Sequence, residues 1–528
     1  MILEYREMTI SDFDQITKLW KNDTTMGFSE SDTYDHLEMY FTRNPGMSFV
    51  ACSEGTIIGT ILCGHDGRRG FINHLYVDAP YRNSGIGQKL ITLATEVLAA
   101  ENPTKMYLFV KDDNEKAKTF WKRKGYYEVD EISVLRKSLS SEPFMVYSEF
   151  DLSSVIDYML QKHYFNDSEG INSVEIGDGN MNMVFKVFND TKSFIIKQSM
   201  PHGKINTKVY EPIERAKFEA MSFEIQKEYV PEYIPKHINY DEIMSANIYE
   251  DLSSMLSLRK ANAQGLFYKE VGSITGIYLA ELFFNTSSYG MKVQEKKQLS
   301  TKFTNYRLRE ITEDFMFTDP FYDADSNRID SCIRPRVEQL WGNQRLKGYV
   351  EILKNKFISS SECLISGDFH PGNIFVSKDA VKFFDFEFAF FGPVSYDLGS
   401  MVGNLIINIM AQSFYHKEEI ERYNNYLIQL IEDIVHSFGK HLQELFKQKG
   451  TDREAVSDII NTIEKDLIGF AGCNMIGRTY GYCQFSEITG ISDVTEKQLI
   501  QENIIALAEK MICKETDFEN LIKILKAV

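Results

Sequence analysis

Strand-like runs at residues 3–8, 48–53, 56–63, 70–77 and 105–110, the first opening with the apolar–polar period of two that a half-buried strand shows, alternate with helices along the first part of the chain. Between these runs the apolar spacing lengthens to a helical period over 10–21, 85–100 and 114–124. Asp12 falls in the first turn of the first helix, where a carboxylate faces the positive end of the helix dipole. The composition changes over 138–143. Beyond it the pattern predicts a helix at 152–164, a strand–turn–strand at 173–188, strands at 193–198 and 247–252, and a helix at 214–228. From about residue 264 the periodicity is helical, broken by a hairpin-like stretch at 368–391. Three segments follow: an α/β domain over 1–140, a small strand-rich lobe over 144–255 and a large helical lobe over 256–528, the last two forming an α+β bilobal unit.

Composition removes several classes of function. With 43% hydrophobic and 25% charged residues, the 528-residue chain reads as ordinary globular protein. A net charge of −18 argues against a nucleic-acid groove, and with 17 basic against 20 acidic residues in 1–140, most of the excess falls later in the chain. Seven cysteines, odd in number and without a C-x-x-C pair, read as buried thiols rather than disulfides or zinc ligands. A start directly on a strand, with no signal segment and no apolar run of membrane-span length, predicts a cytoplasmic protein without a membrane partner. The expected partners are small molecules bearing amines and hydroxyls; a homodimer is allowed for.

The run Asn73-His74-Leu75-Tyr76-Val77-Asp78-Ala79-Pro80-Tyr81-Arg82-Asn83-Ser84-Gly85-Ile86-Gly87 leads a strand through a glycine turn into a helix. Backbone N–H groups at such a turn can approach an anion that the helix dipole also attracts, and a pyrophosphate suits it. The spacing is not G-x-G-x-x-G, and no acidic ribose partner follows at the distance a Rossmann turn needs. Residues 1–140 resemble the GNAT family of N-acetyltransferases. The resemblance implies acetyl-CoA as cofactor, with Arg82, Asn83, Ser84, Gly85, Ile86 and Gly87 at its pyrophosphate and Leu75 and Val77 beside its pantetheine. It also implies Asn114, in Asn114-Glu115-Lys116-Ala117, as a cofactor contact. Many members carry a tyrosine that protonates the leaving thiolate where this chain has Trp121, so Tyr126, Tyr127 or water must serve. His74, Glu30 or Asp32, each through water, could act as base; His74 reads equally well as a packed strand histidine.

The densest chemistry lies in Ser366-Gly367-Asp368-Phe369-His370-Pro371-Gly372-Asn373 and the following Asp385-Phe386-Glu387. An Asp on a loop, an Asn five positions later and an acidic pair after a short strand suit phosphoryl transfer: Asp368 takes the acceptor proton, while Asn373 and Asp385 hold magnesium. Upstream, Ile176-Gly177-Asp178-Gly179-Asn180 forms a glycine turn between strands, and Lys197 interrupts the apolar run Phe194-Ile195-Ile196. A phosphate-pairing lysine needs a carboxylate partner, for which Glu219 is preferred over Glu214 and Glu224. These residues resemble the kinase-like fold of aminoglycoside phosphotransferases and choline kinases, and within it the methylthioribose kinase family over about 145–520. The resemblance implies ATP, with the turn from Gly177 through Gly179 and Asn180 to Asn182 over its phosphates, Tyr249 to Leu252, including Glu250, as the adenine-side hinge, and Glu387 joining Asp385 and Asn373 at magnesium. Asp397 would hold the catalytic loop by hydrogen bonds.

Two departures bear on the acceptor. Methylthioribose kinases usually carry two adjacent arginines where this chain has Gly477-Arg478, leaving Arg478 as the substrate-side residue, and they tend to have Ser at the position of Asn373. The fold expected is thus a GNAT mixed-sheet domain followed by a bilobal phosphotransferase. The function expected is a bifunctional enzyme that acetylates an amine and phosphorylates a hydroxyl of a sugar-like or antibiotic-like compound. Two other readings stay open: a methylthioribose salvage kinase with an accessory GNAT domain, and an active kinase with a silent acetyl-CoA-binding domain.

Overall fold

In a computed structural model the alternating runs of the first block pair into one five-stranded sheet in the order β1 (Leu3–Glu7), β2 (Phe49–Ser53), β3 (Thr56–His65), β4 (Arg69–Val77) and β5 (Lys105–Leu108). Neighbours run antiparallel except β4 and β5, which are parallel. The structure describes residues 3–21, 30–82, 84–101, 103–110, 114–129, 146–166, 170–177, 181–203 and 211–527. Successive residues of β2 point to opposite faces, and two cores result. Ala51, Ile61, Cys63 and the helix Ile86–Ala100 make one; Val50, Cys52, Ile16, Trp20 and Leu37 make the other.

Where β4 pairs with β3 the register slips. Thr60 faces Tyr76 and Leu62 faces Asn73, so His74 and Leu75 together oppose the single residue Ile61. This is a β-bulge, which bends a strand and re-aims its side chains. A helix at Tyr34–Arg43, outside the expected elements, covers the face that carries Leu37.

By internal contacts the chain divides into two compact units, Met1–Arg136 and Lys137–Val528. The second opens with an antiparallel sheet ordered β6 (Asn172–Glu175), β7 (Asn182–Phe188), β8 (Ser193–Ser199), β10 (Ala246–Glu250) and β9 (His237–Asp241). The helix Arg215–Tyr229 packs against β8, β9 and β10. After it come short strands that frame the catalytic loop: β11 (Leu256–Ser257) with β13 (Ile374–Val376) and β14 (Val381–Phe383), and β12 (Cys363–Ile365) with β15 (Phe390–Gly392).

The remainder is helical around Val394–Tyr415, whose first nineteen residues are all buried. A helix apolar on every side belongs in the middle of a core. Glycines permit its close packing on the helix Arg453–Tyr480: a Cβ on Gly399 would lie 2.7 Å from the Leu467 carbonyl. All seven cysteines are free thiols, and burial raises Cys363 and Cys473 well above the ordinary thiol range. Among the described residues no helix is long and apolar enough to cross a membrane.

Candidate active sites

Lys197 stands in mid-strand on β8, between Val184 of β7 and Asn247 of β10, so its stem is fixed by ladders on both sides. Its ammonium is buried among three carboxylates. It contacts Asp385, lies 2.9 Å from Glu219 Oε2, and is 3.8 Å from Glu387 Oε2. Burial alone would lower the lysine's pKa; Asp385, Glu219 and Glu387 more than reverse this and keep it charged. Glu219 is therefore the partner on the helix Arg215–Tyr229, and Tyr249, fully buried, sets its phenol against the same carboxylate.

Asp385 follows β14 in a left-handed backbone conformation, φ 67°, which few non-glycine residues adopt. Its carboxylate is about one-third exposed, whereas Glu387, two residues on, is buried. Arg215 accounts for that burial. Nε donates to Glu387 Oε2 at 3.1 Å, Nη1 to the carbonyls of Met200 and Pro212 at 2.8 and 3.0 Å, and Nη2 to the Met181 carbonyl and to Asn182 Oδ1. All five guanidinium donors are thus engaged. Asn182 Nδ2 also donates to Glu387 Oε2, at 2.9 Å. Asn182, expected over the phosphates, instead opens β7 with its side chain turned inward, because Glu387 and Arg215 need its amide.

Asp368 lies on the loop after β12. Arg478 Nη2 donates to its Oδ1 at 2.8 Å, and His370 Nε2 is 3.5 Å from its Oδ2. Burial would raise this carboxyl, but His370, Arg478 and Arg259 pull it well below the usual carboxylate range. Asn373 donates Nδ2 to the Asp368 carbonyl at 3.1 Å, closing the loop and leaving Oδ1 as an acceptor. The loop hangs from Asp397, which accepts the N–H of Ser366 at 2.7 Å and of Gly367 at 3.1 Å. Asp397→Asn would turn an amide donor toward one of those N–H groups. It is expected to lower unfolding stability by about 1–3 kcal/mol and to depress phosphoryl transfer more than ATP affinity. Burial pushes Asp397 up to about 7 against the pull of its two N–H donors. The stability its neutral form contributes is whole below pH ~4, the ordinary aspartate value, and is lost as pH rises through the raised one. Denaturant melts across that window should show the loss in the parent and a flatter profile in Asp397→Asn.

The remaining kinase-side expectations divide. Gly177 sits at the turn after β6 with φ 156°; Asp178, Gly179 and Asn180 lie outside the described residues. Glu250 accepts the Lys236 N–H at 2.8 Å, so its carboxylate is spent on the backbone, and Leu252 closes a turn onto Met255. Among the described residues no three His, Cys, Asp or Glu side chains are grouped to hold a metal. Arg215 escaped the sequence reading altogether: it serves a carboxylate 172 positions away, and no spacing announces such a pair.

In the N-terminal unit, a cavity of about 1430 Å³ is lined by His74, Leu75, Val77, Arg82, Gly85, Ile86, Gly87 and Asn114, with Trp121 at its wall. Gly85 takes φ 84° as the residue before the helix Ile86–Ala100, a conformation that turns the chain so the helix N-terminus faces the cavity. Arg82 Nε is held by the Val77 carbonyl at 2.8 Å. Asn83 lies outside the described residues, as does the side chain of Glu30. Ser84 spends its hydroxyl on the Tyr81 carbonyl, 2.5 Å. Asn114 caps the helix Glu115–Lys122 through Oδ1 to the Ala117 N–H, which leaves its amide donors for the cavity.

Tyr126 needs correcting. Its ring packs on Trp121, with centroids 4.9 Å apart, and its hydroxyl turns to Met106 Sδ at 3.3 Å, so the phenol is not among the cavity-lining groups. The left-handed Gly125 before it, φ 87°, folds the chain back onto the sheet core. Tyr127 is exposed. A phenol whose hydroxyl oxygen is buried does line the cavity, that of Tyr40 on the helix Tyr34–Arg43.

Comparison with known proteins agrees with this division. Residues 13–126 match the Acetyltransferase (GNAT) family model, and residues 304–431 match the Phosphotransferase enzyme family model. The chain is similar to the methylthioribose kinase of Geobacillus kaustophilus (strain HTA426), with 34% identity over 381 residues that cover 71% of this chain and 94% of the relative. It is also similar to that of Bacillus mycoides (strain KBAB4), with 33% identity over 376 residues covering 70% and 94%. Among solved structures, Ard1 from Thermoplasma volcanium shares 20% identity and a TM-score of 0.22 over 24% of this chain and 84% of that one, a likeness that carries no argument.

Proposed function

The chain belongs to the methylthioribose kinase family, and from that membership we propose that its C-terminal unit moves the γ-phosphoryl group of ATP onto a hydroxyl of methylthioribose or a closely similar sugar. Its N-terminal unit is a GNAT acetyltransferase domain, for which we propose acetyl-CoA as donor and a small amine as acceptor. One observation carries the kinase reading: Lys197 meets Asp385, and Asp385 lies near enough to Asp368 to feel its charge. Phosphoryl transfer needs a phosphate-binding cation, a metal-holding carboxylate and a base in one cleft.

Asp368, kept ionised by its cationic neighbours, orients the acceptor hydroxyl and takes its proton as the new O–P bond forms. Arg478, already on Asp368, adds positive charge where phosphoryl oxygens accumulate negative charge. Lys197 exchanges Asp385 for the nucleotide's phosphates, while Glu219 keeps its stem in place. Asp385 with Asn373 Oδ1 and the second oxygen of Glu387 are hard oxygen donors of the kind magnesium takes alongside phosphate oxygens. Magnesium held there would neutralise charge on the triphosphate.

A second reading rests on Gly477. A Cβ there would stand 2.9 Å from the Phe315 carbonyl and 3.0 Å from Met316 Sδ, so no second guanidinium fits beside Arg478. That favours an acceptor different from methylthioribose, including one compound that receives both groups. Full-length protein with ATP, magnesium and methylthioribose is expected to release ADP and give a phosphorylated sugar by mass spectrometry. ADP release with an aminoglycoside such as kanamycin, and none with methylthioribose, would overturn the first reading in favour of the second.

A further inference from the structure

His74 occupies the β4 bulge with φ 43°. For a non-glycine residue this backbone is strained, and such strain persists only where surroundings over-determine it. Four contacts do so here. The imidazole stacks on the Trp20 indole, with centroids 4.2 Å apart and planes 20° from parallel. The His74 carbonyl accepts from Thr60 Oγ1 at 3.0 Å, and that same oxygen accepts from Trp20 Nε1, also at 3.0 Å. Nε2 lies 2.8 Å from Asp32 Oδ1. Thr60 and Trp20 are fully buried, while His74 and Asp32 both line the cavity that the cofactor turn opens onto.

A histidine serving only as packing needs neither a carboxylate partner nor a strained backbone, and a polar side chain in a core gains nothing from facing a cavity. We propose that Asp32, Thr60 and Trp20 position His74 as the base that takes the proton from the acetyl acceptor; this rests on the acetyltransferase reading of the N-terminal unit. Asp32 holds Nε2–H, which selects the tautomer with its lone pair on Nδ1 and stabilises the imidazolium formed on protonation. Thr60 fixes where the ring is attached and Trp20 fixes its plane. These three are positioning residues, and His74 alone meets the acceptor or its bridging water.

The step balances. The acceptor arrives as an ammonium and gives one proton to His74. Its freed electron pair forms the C–N bond as the C–S bond breaks with its pair to sulfur, and the second nitrogen proton ends on that sulfur. The products are an amide and a thiol, and His74 returns its proton to solvent.

Water can replace the amine, so the test needs no knowledge of the acceptor. Full-length protein is given acetyl-CoA alone and thiol release is followed, with CoA binding measured calorimetrically on every variant. His74→Gly, which suits the backbone at φ 43°, is expected to lower thiol release at least about tenfold, within the range a general base supplies, with CoA binding unchanged. Added imidazole should restore part of the rate. Thr60→Val should lower the rate without weakening CoA binding, while Thr60→Ser, which keeps the hydroxyl, should retain it; Asp32→Asn should behave as Thr60→Val. Thiol release unchanged in His74→Gly, or a parent that binds CoA but hydrolyses acetyl-CoA no faster than buffer, would overturn the proposal. Failure of the parent to bind CoA would overturn the acetyltransferase reading itself.

Discussion

Replacing Asp368 by asparagine is expected to slow phosphoryl transfer by about 10²–10⁴-fold, the range a positioned general base supplies, with nucleotide affinity nearly unchanged. The substitution keeps shape and loop position: Asn373 binds the Asp368 carbonyl, not its carboxylate, and Asp397 holds the preceding backbone. What is lost is the proton acceptor and the charge facing Arg478. Because His370, Arg478 and Arg259 hold the Asp368 carboxyl well below the usual range, the group stays ionised through neutral pH. A depressed carboxylate contributes stability present above its ordinary value near pH ~4 and lost as pH falls toward the native one. In the parent, then, any fall in phosphoryl transfer between pH 5 and 8 is expected to come from a group other than Asp368, and the residual rate of Asp368→Asn should follow the same profile. Coupled measurement of ADP release across pH checks both statements. A variant within tenfold of the parent would remove Asp368 from the base's role.

Arg215→Met should cost the most in stability, about 3–5 kcal/mol, the range measured when one partner of a buried ion pair is removed. The substitution leaves the buried Glu387 with the neutral Asn182 amide at 2.9 Å and with Lys197, at 3.8 Å, as its remaining cation, and it strips donors from the carbonyls of Met181, Met200 and Pro212. Arg215→Lys should recover little, since one ammonium cannot span five acceptors set in a fork. Denaturant unfolding of the C-terminal unit, followed without nucleotide, measures the effect; a loss under about 1 kcal/mol would mean that the network adds no more than a surface pair does.

The placement of the candidate groups was legible where it is local. Lys197 betrays itself by breaking an apolar strand, and Asp368, Asn373 and Asp385 by spacing within one short stretch; the structure sets Lys197 against Asp385 and Asn373 against the Asp368 carbonyl. What stayed hidden depends on distant partners. Arg215 looks like any cation at a helix start, and the pairing of Asp32 with His74 joins positions 42 apart. Tyr126 follows Trp121 closely in sequence but does not share its outlook on the cavity, because its ring packs on Trp121 after the left-handed Gly125. The helix Tyr34–Arg43 gave almost no periodic signal because Leu37 alone of its ten residues is buried. The strand His237–Asp241 was equally mute, being an edge strand of mixed polarity.

Lys197 carries a last consequence. With its ammonium seated among Asp385, Glu219 and Glu387, the resting cleft already holds its own counter-ion. On the proposed kinase reading, a divalent cation arriving alone would have to compete with the lysine for these carboxylates, and one arriving with a polyanion that draws the lysine aside would not. The choice among divalent ions would then fall to the nucleotide's tail rather than to a selective cage in the protein.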